Sequence, residues 1–180
     1  CLRRMKGVKL IVLAIIPSVL IISSCGSNSA PTSFTETVED VGYTFEMIPV
    51  QSEQGVFWIS QTEVPWDIYD KFLEIVNNPI NLAAGVDAIT GPTPAYASVD
   101  RGYGRNGYPA LSMSAKAAEA YCAWLSSVTG RTYTIPSLER WKFANAEDGT
   151  AWHRWNSDNT THPVGTTEPN SLGIFDMRGN

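Results

Sequence analysis

Two long segments rich in glycine, proline and other turn residues most strongly constrain what this chain can fold into. The first, residues 85–109, holds five glycines and three prolines, and the second runs from Gly149 to the end of the sequence. They leave room for few regular elements, so we predict a loop-rich α+β fold with few strands. In such a fold the six tryptophans would supply much of the buried apolar surface.

Five short stretches carry the periodicity of regular structure. Residues 43–50 and 55–60 are alternating or β-branched and aromatic, which is typical of short strands. Apolar side chains recur at helical spacing over residues 65–77, again between Ser114 and Gly130, and once more after Ser137. We therefore predict three helices, the second and third capped by these serines.

A glycine motif in the first turn-rich segment invites a nucleotide-binding interpretation. Gly102, Gly104 and Gly107 have the spacing G-x-G-x-x-G, which binds dinucleotides only between a strand and the N-terminus of a helix. No strand is predicted before the motif and Pro109 follows it closely. We interpret it as a structural loop.

The beginning of the chain has the pattern of an export signal. Basic residues precede a thirteen-residue run, Leu10 to Ile22, that is apolar apart from Pro17 and Ser18. Thirteen helical residues span only about 20 Å, against about 30 Å of membrane hydrocarbon, so a signal peptide is favoured over a transmembrane anchor. The Ser-Ser-Cys sequence that follows resembles the lipobox of bacterial lipoproteins and predicts lipidation of Cys25, with ordinary secretion as the alternative.

These features predict an order of segments along the chain. We expect an upstream reading frame at residues 1–4, a signal peptide at 5–24, a flexible tether at 25–40 and a folded domain at 41–180. The expected location is the cell envelope, with the lipid as anchor. In a Gram-negative cell this would be the outer membrane, because Gly26 stands where an aspartate would resemble an inner-membrane retention signal.

Charge and metal-ligand composition exclude several classes of function. Four of the 13 basic residues precede Cys25, which leaves nine basic residues against all 18 acidic ones in the rest of the chain. Such an acidic surface repels phosphate backbones, so we expect no nucleic-acid partner. The three cysteines and two histidines show no spacing typical of a metal site.

Five segments in order resemble one family of domains. They are Glu63-Val64 with Tyr69 and Phe72, the helix A-Y-C-A-W-L at 120–125, the segment I-P-S-L-E-R-W-K-F-A at 135–144, the T-H-P-V-G turn at 161–165, and G-I-F-D-M-R-G-N at 173–180. Together they resemble the formylglycine-generating enzyme, or sulfatase-modifying factor, family. The resemblance implies that family's loop-rich α+β fold, which is similar to the C-type-lectin-like fold.

The chain also departs from the family pattern. The glycine-rich turn common near the start of the family is replaced by residues 48–55, and Pro65 replaces the capping threonine of the first helix. Family members continue with V-W-E-W after the position of Asn180. We therefore expect this sequence to be the N-terminal portion of the fold, incomplete at its C-terminus.

The resemblance implies copper chemistry that the residues present do not support. Catalytic members resemble copper oxidases, in which two cysteine thiolates bind Cu(I) and a sulfatase cysteine is converted into formylglycine. That pair lies beyond V-W-E-W, so no catalytic residue is assigned here. Cys122 lies on a predicted helix between Tyr121 and Trp124 and is interpreted as a small buried apolar residue.

A partial calcium site is a second implication of the resemblance. Asp176 and Gly179 match family positions that bind Ca²⁺ through a carboxylate and a backbone carbonyl, ligands that suit this cation. The alternative is that Asp176 only stabilises its turn. For His162, in the T-H-P-V-G turn, a structural hydrogen bond is favoured over catalysis.

Two functions from different classes remain open. The first is a non-catalytic lipoprotein that binds a protein or glycan partner, or serves in assembly, at the cell surface. The second is a copper-dependent formylglycine-generating oxidase that acts on sulfatase peptides with cysteines supplied from beyond residue 180. The lipid tether and the missing glycine turn favour the first.

Overall fold

The computed structural model describes residues 14–15, 30–77 and 100–180, which form a mixed α+β domain. The strands are β1 (Ala14–Ile15), β2 (Phe34–Val38), β3 (Tyr43–Ser52), β4 (Gly55–Ser60) and β5 (Tyr133–Thr134). The helices are α1 (Trp66–Val76), α2 (Ala115–Thr129) and α3 (Leu138–Asn145). The strands make one sheet in the order β2-β3-β4-β1-β5, and every neighbouring pair is antiparallel.

The structure confirms the predicted helices and the two predicted strands. Ser114 accepts a hydrogen bond from the backbone N–H of Ala117 at the start of α2, and Ser137 accepts one from Arg140 at the start of α3. α1 begins after Pro65 without a side-chain cap. After Gly149 the described chain contains turns but neither helix nor strand, as its composition predicted.

The predicted tether is wrong at its C-terminal end. β2 lies inside residues 25–40 and pairs along its whole length with β3, from Phe34 opposite Met47 to Val38 opposite Tyr43. The polar composition of this segment conceals an alternating strand in which Glu36 and Val38 are buried.

Most of the predicted signal peptide, and Cys25, lie outside the described residues. The part that is described, β1, pairs with both β4 and β5. Among the described residues, no helix has the length and apolar character needed to cross a membrane.

The sheet separates two buried clusters. Alternate residues of a strand point to opposite faces, so Met47 joins the first cluster while Val50, three residues along β3, joins the second. The first cluster is formed with α1, α2 and residues 110–113. The second is smaller and combines apolar side chains of β3 and β4 with α3 and the C-terminal tail: Val50, Phe57, Ile59, Ala144, Ile174 and Met177.

The loop that carries the glycine motif is structural, as predicted. The Gly107 N–H donates to Asp67 at 2.6 Å, and the Trp66 N–H donates to the Tyr108 carbonyl at 2.9 Å. Arg105 donates through Nε and Nη2 to the two carboxylate oxygens of Asp70, at 2.8 and 2.6 Å. These contacts fasten the loop to the start of α1, and no strand–helix junction for a phosphate is formed. Of the predicted long loop at 85–109, residues 85–99 lie outside the described part.

Candidate functional site

Asp176 lies at the centre of the C-terminal turn and is 1% exposed. Its Oδ2 accepts a hydrogen bond from the Gly165 N–H at 2.7 Å, and its Oδ1 accepts one from the Thr167 hydroxyl at 2.9 Å. The residue has φ +57°, a left-handed conformation that aspartate adopts more readily than most residues. The carboxylate therefore joins two parts of the tail, which is the turn-stabilising role considered above.

Gly179 is required by a close approach of the backbone. With φ +154°, a Cβ at this position would lie 2.4 Å from the Trp152 carbonyl oxygen. The neighbouring Asn180 exchanges two hydrogen bonds with His162: its Oδ1 accepts from the His162 N–H at 2.8 Å and its Nδ2 donates to the His162 carbonyl at 2.9 Å. The glycine allows the end of the described tail to lie against residues 152–162.

The described residues do not fit a calcium site by themselves. Ca²⁺ takes six to eight oxygen ligands, and within residues 30–77 and 100–180 no cluster of three or more acidic, histidine or cysteine side chains could hold a metal ion. Asp176 and Gly179 lie in the same C-terminal turn. The structure therefore places the two predicted calcium ligands close together. Calcium binding by them stays a prediction.

Cys122 is buried, as predicted. Its side chain lies on α2 within the first cluster, and burial, with a smaller contribution from the charge of Glu119, raises the pKa of the thiol from 9.0 to about 12. A thiolate is the form that binds Cu(I) and attacks electrophiles. At neutral pH Cys122 remains a thiol and serves as apolar packing.

His162 makes structural contacts in the T-H-P-V-G turn, as predicted. Its ring stacks on Trp152 with the ring centroids 3.7 Å apart. Its Nε2 lies 3.2 Å from the Ser157 carbonyl oxygen. The histidine therefore links the tail turn to the loop at 152–160.

A cleft of about 420 Å³ opens beside that loop. It is lined by Gly149, Thr150, Ala151, His153, Asn156 and Arg178. Trp155, two residues beyond His153, is 83% exposed and is the most exposed large apolar side chain of the described chain. The guanidinium of Arg154 lies 5.2 Å from the centroid of the Trp155 ring.

The loop that presents Trp155 is fixed by hydrogen bonds of its own. Asn156 accepts from the His153 N–H at 2.7 Å through Oδ1 and donates to the Ala151 carbonyl at 3.1 Å through Nδ2. The Trp155 N–H donates to Nδ1 of His153 at 3.2 Å. Neutral His153 therefore carries its proton on Nε2. These hydrogen bonds order the backbone that carries Trp155, while its indole ring is exposed to solvent.

Sequence reasoning missed this cleft. The two histidines were considered only as unlikely metal ligands, and Trp155 was counted only among the six tryptophans. The available signal was the segment His153-Arg154-Trp155-Asn156, an aromatic residue within a polar turn. The contribution of Arg178 has no local sequence signal, because the tail brings it to the cleft from more than twenty residues away.

A second surface feature surrounds α3. A groove of about 380 Å³ runs between the β3–β4 turn and the helix and is lined by charged residues of both signs together with Phe143. Ile135, Leu138 and Phe143 are exposed on and beside this helix. Unlike the loop at 152–156, this surface combines apolar side chains with acidic and basic ones.

Comparison with known proteins identifies one family. The model of the sulfatase-modifying factor enzyme 1-like domain matches residues 32–180, which includes all of the described chain except β1 and residues 30–31. No curated protein and no solved structure is significantly similar to the chain. The match begins just before β2, in agreement with the strand found there.

Proposed function

Because the chain belongs to the sulfatase-modifying factor enzyme 1-like domain family, we propose that it is a non-catalytic binding or assembly component at the cell surface. The observation that carries the proposal is the exposed indole of Trp155, on a loop whose residues His153 and Asn156 line a cleft. Family oxidation chemistry needs thiolates, and the cysteine in the described part of the chain is a buried thiol with a pKa of about 12.

The proposed attachment to the cell is a lipid on Cys25, in the cell envelope and, in a Gram-negative host, the outer membrane. The support is the Ser-Ser-Cys sequence after the apolar run. The test is incorporation of labelled palmitate into the protein expressed in a bacterium. We expect label in the natural sequence and in Cys122→Ala, and none in Cys25→Ala. Equal labelling of Cys25→Ala would contradict the proposed anchor.

The alternative is a copper-dependent oxidase that forms formylglycine in sulfatase peptides, and family membership is the observation that favours it. Copper bound by two thiolates would supply the oxidation. The described residues do not fit that group, because Cys122 is buried and has no cysteine partner among them. No step through copper is derived from these residues.

A turnover assay separates the two functions. The protein as the cell makes it is incubated with Cu(I), oxygen and a peptide containing C-x-P-x-R, and the peptide is analysed by mass spectrometry for conversion of its cysteine into an aldehyde. We expect unchanged peptide, both for the natural protein and for Cys122→Ala. Formation of formylglycine would overturn the proposed non-catalytic function.

A further inference from the structure

We propose that the space between β4 and β5 is an acceptor site for an extended peptide strand of a partner protein, and that β1 fills this site only until the signal peptide is removed. The site rests on the proposed binding or assembly function and on the predicted signal peptide, residues 5–24, which contains β1. It names a partner class for that function, which is an extended strand with apolar side chains on both faces.

The first argument is the position of β1 inside the sheet. Ala14 and Ile15 pair on one side with β4 and on the other side with β5. The family match begins at residue 32, so this inner strand comes from outside the family domain. Cleavage before Cys25 removes β1 and leaves the facing edges of β4 and β5 without the strand that pairs with both.

The second argument is that both neighbours of β1 are held by contacts that do not involve it. β4 pairs with β3 along the whole of Gly55–Ser60. In β5 the Tyr133 N–H donates to the Ser126 hydroxyl of α2 at 2.8 Å, and the Tyr133 hydroxyl donates to Glu36 of β2. The Tyr133 ring centroid also lies 6.3 Å from that of Phe45 on β3. These contacts keep the two edges in place, roughly 9–10 Å apart, which is twice the spacing of neighbouring strands.

The third argument is the backbone chemistry of two facing strand edges. Each edge presents N–H and C=O groups, and leaving such groups buried without partners is costly. An extended peptide carries N–H and C=O groups along both of its own edges, at the same repeat as the strands beside it. A peptide strand therefore satisfies both edges at once, which is the chemistry of recognition by strand addition.

The register determines which side chains the site accepts. Opposite residues of an antiparallel pair have their side chains on the same face. The strand position opposite Trp58 and Tyr133 lies on the face of the first cluster, and the preceding position, opposite Ile59, lies on the face of the second. A strand that is covered on both faces is apolar at successive positions. The partner segment is therefore expected to be continuously apolar and to lack proline.

The test measures binding of a fluorescent peptide with the sequence of residues 11–16, extended by lysines for solubility, by anisotropy. Three proteins are compared: the full 180-residue chain, its Ala14→Pro variant, and the protein isolated from a bacterial envelope after processing. Proline has no N–H to donate and is excluded from inner strands, so Ala14→Pro displaces β1 and frees the site. We expect saturable binding by the variant and by the processed protein. The natural full chain should bind about tenfold more weakly or less, because its own β1 competes from within the same molecule.

Two controls separate strand pairing from other effects. Ala30→Pro makes the same substitution at an exposed residue outside the strands and should bind like the natural full chain. A peptide that carries the Ala14→Pro change should not bind to any of the proteins. Slow amide exchange in β2 and β3, which pair with each other on the far side of β4, verifies that each protein is folded.

Three results would overturn the acceptor site. Absence of binding by Ala14→Pro or by the processed protein would mean that the sheet closes without an added strand. Equal binding by the natural full chain and by Ala14→Pro would mean that β1 does not fill the site. Equal binding of the proline peptide would mean that the contact is not strand pairing. Each of these results leaves the proposed non-catalytic function standing with another interface, whereas turnover of the sulfatase peptide would overturn that function and leave the strand-binding result as it is.

Discussion

The two faces of the sheet are closed in different ways. On the first face, α1 and α2 pack aromatic rings against one another, with Phe72 and Tyr121 5.4 Å apart edge to face and Tyr121 and Trp124 5.6 Å apart. On the second face, α3 contributes only Ala144 as a buried side chain, and the irregular tail supplies Ile174 and Met177. The first face is stabilised by the packing of large buried side chains. The second face depends on the conformation of the irregular C-terminal tail.

Buried polar groups fix that shape. Asn170 donates to the Ala144 carbonyl at 2.7 Å and accepts from the Leu172 and Ile174 N–H groups at 3.0 Å. Asp176 joins two further segments of the tail. A satisfied polar network of this kind specifies one arrangement, but its loss leaves buried groups without partners. The first face should therefore be most sensitive to the loss of buried side-chain volume, and the second to the loss of single polar side chains.

The largest effect is expected on the first face. Phe72→Ala should lower the free energy of unfolding by about 4 kcal/mol, because it removes a fully buried ring from the aromatic cluster and leaves a cavity. Urea denaturation measures the change. Leu138→Ala is the control, since its exposed side chain should contribute about 0.5 kcal/mol or less. Equal losses for the two variants would mean that the first cluster is not the principal core.

The next effect tests the second face. Asn170→Ala should cost about 3 kcal/mol, because it leaves the Ala144 carbonyl and two tail N–H groups without their partner inside the protein. Asn170→Asp keeps the acceptor oxygen but replaces the donor to α3 with a charged oxygen that faces the Ala144 carbonyl, so it should also lower the free energy of unfolding while the Ile174 N–H keeps its acceptor. Amide hydrogen exchange should show faster exchange at Ile174 in Asn170→Ala. An unchanged rate there would contradict the role assigned to Asn170.

Asp176→Asn should have an intermediate effect of about 2 kcal/mol. Asparagine is uncharged and has one acceptor oxygen, so the bond from the Gly165 N–H becomes weaker and the Thr167 hydroxyl must accept from the new amide N–H instead of donating. Asparagine also tolerates the positive φ, which keeps backbone strain out of the measurement. The same pair of proteins tests calcium binding: if Asp176 is a ligand, added Ca²⁺ raises the Tm of the natural chain and not that of the variant. The same response in both would exclude Asp176 as a ligand.

The elements that close the first face were predictable, because their signal is local. Apolar spacing predicted α1 and α2, and Ser114 and Gly130 predicted both ends of α2. The sequence analysis missed β2, although its apolar and polar residues alternate, because its threonines and Glu36 are typical of a polar linker. Glu36 is buried only because Tyr133 donates a hydrogen bond to it and Arg131 forms an ion pair with it at 2.9 Å. Those two partners lie almost a hundred residues away in the sequence.

The second face and the cleft were predictable only in part. Asp176 and Gly179 were identified through the family resemblance, but their partners Gly165, Thr167 and the Trp152 carbonyl follow no periodicity. Trp155 was counted only among the six tryptophans, as composition alone does not distinguish a buried indole from an exposed one. Exposure depends on how the tail folds back, which short-range patterns do not encode.

The smallest effects compare the same substitution on the two faces. Ser114→Ala and Ser137→Ala each remove one N-cap hydrogen bond, to Ala117 and to Arg140, and each should cost about 1 kcal/mol. The long helix α2 is buried along one side and should stay formed in Ser114→Ala. The lost capping energy should therefore lower only the free energy of global unfolding. The eight-residue α3 buries only Ala144, so Ser137→Ala should also fray its first turn and speed amide exchange at Arg140. Ser137→Thr, which retains a capping hydroxyl, should restore slow exchange. If α2 frayed to the same degree in Ser114→Ala, packing would protect the two helices equally. That result would contradict the proposed difference between the two faces.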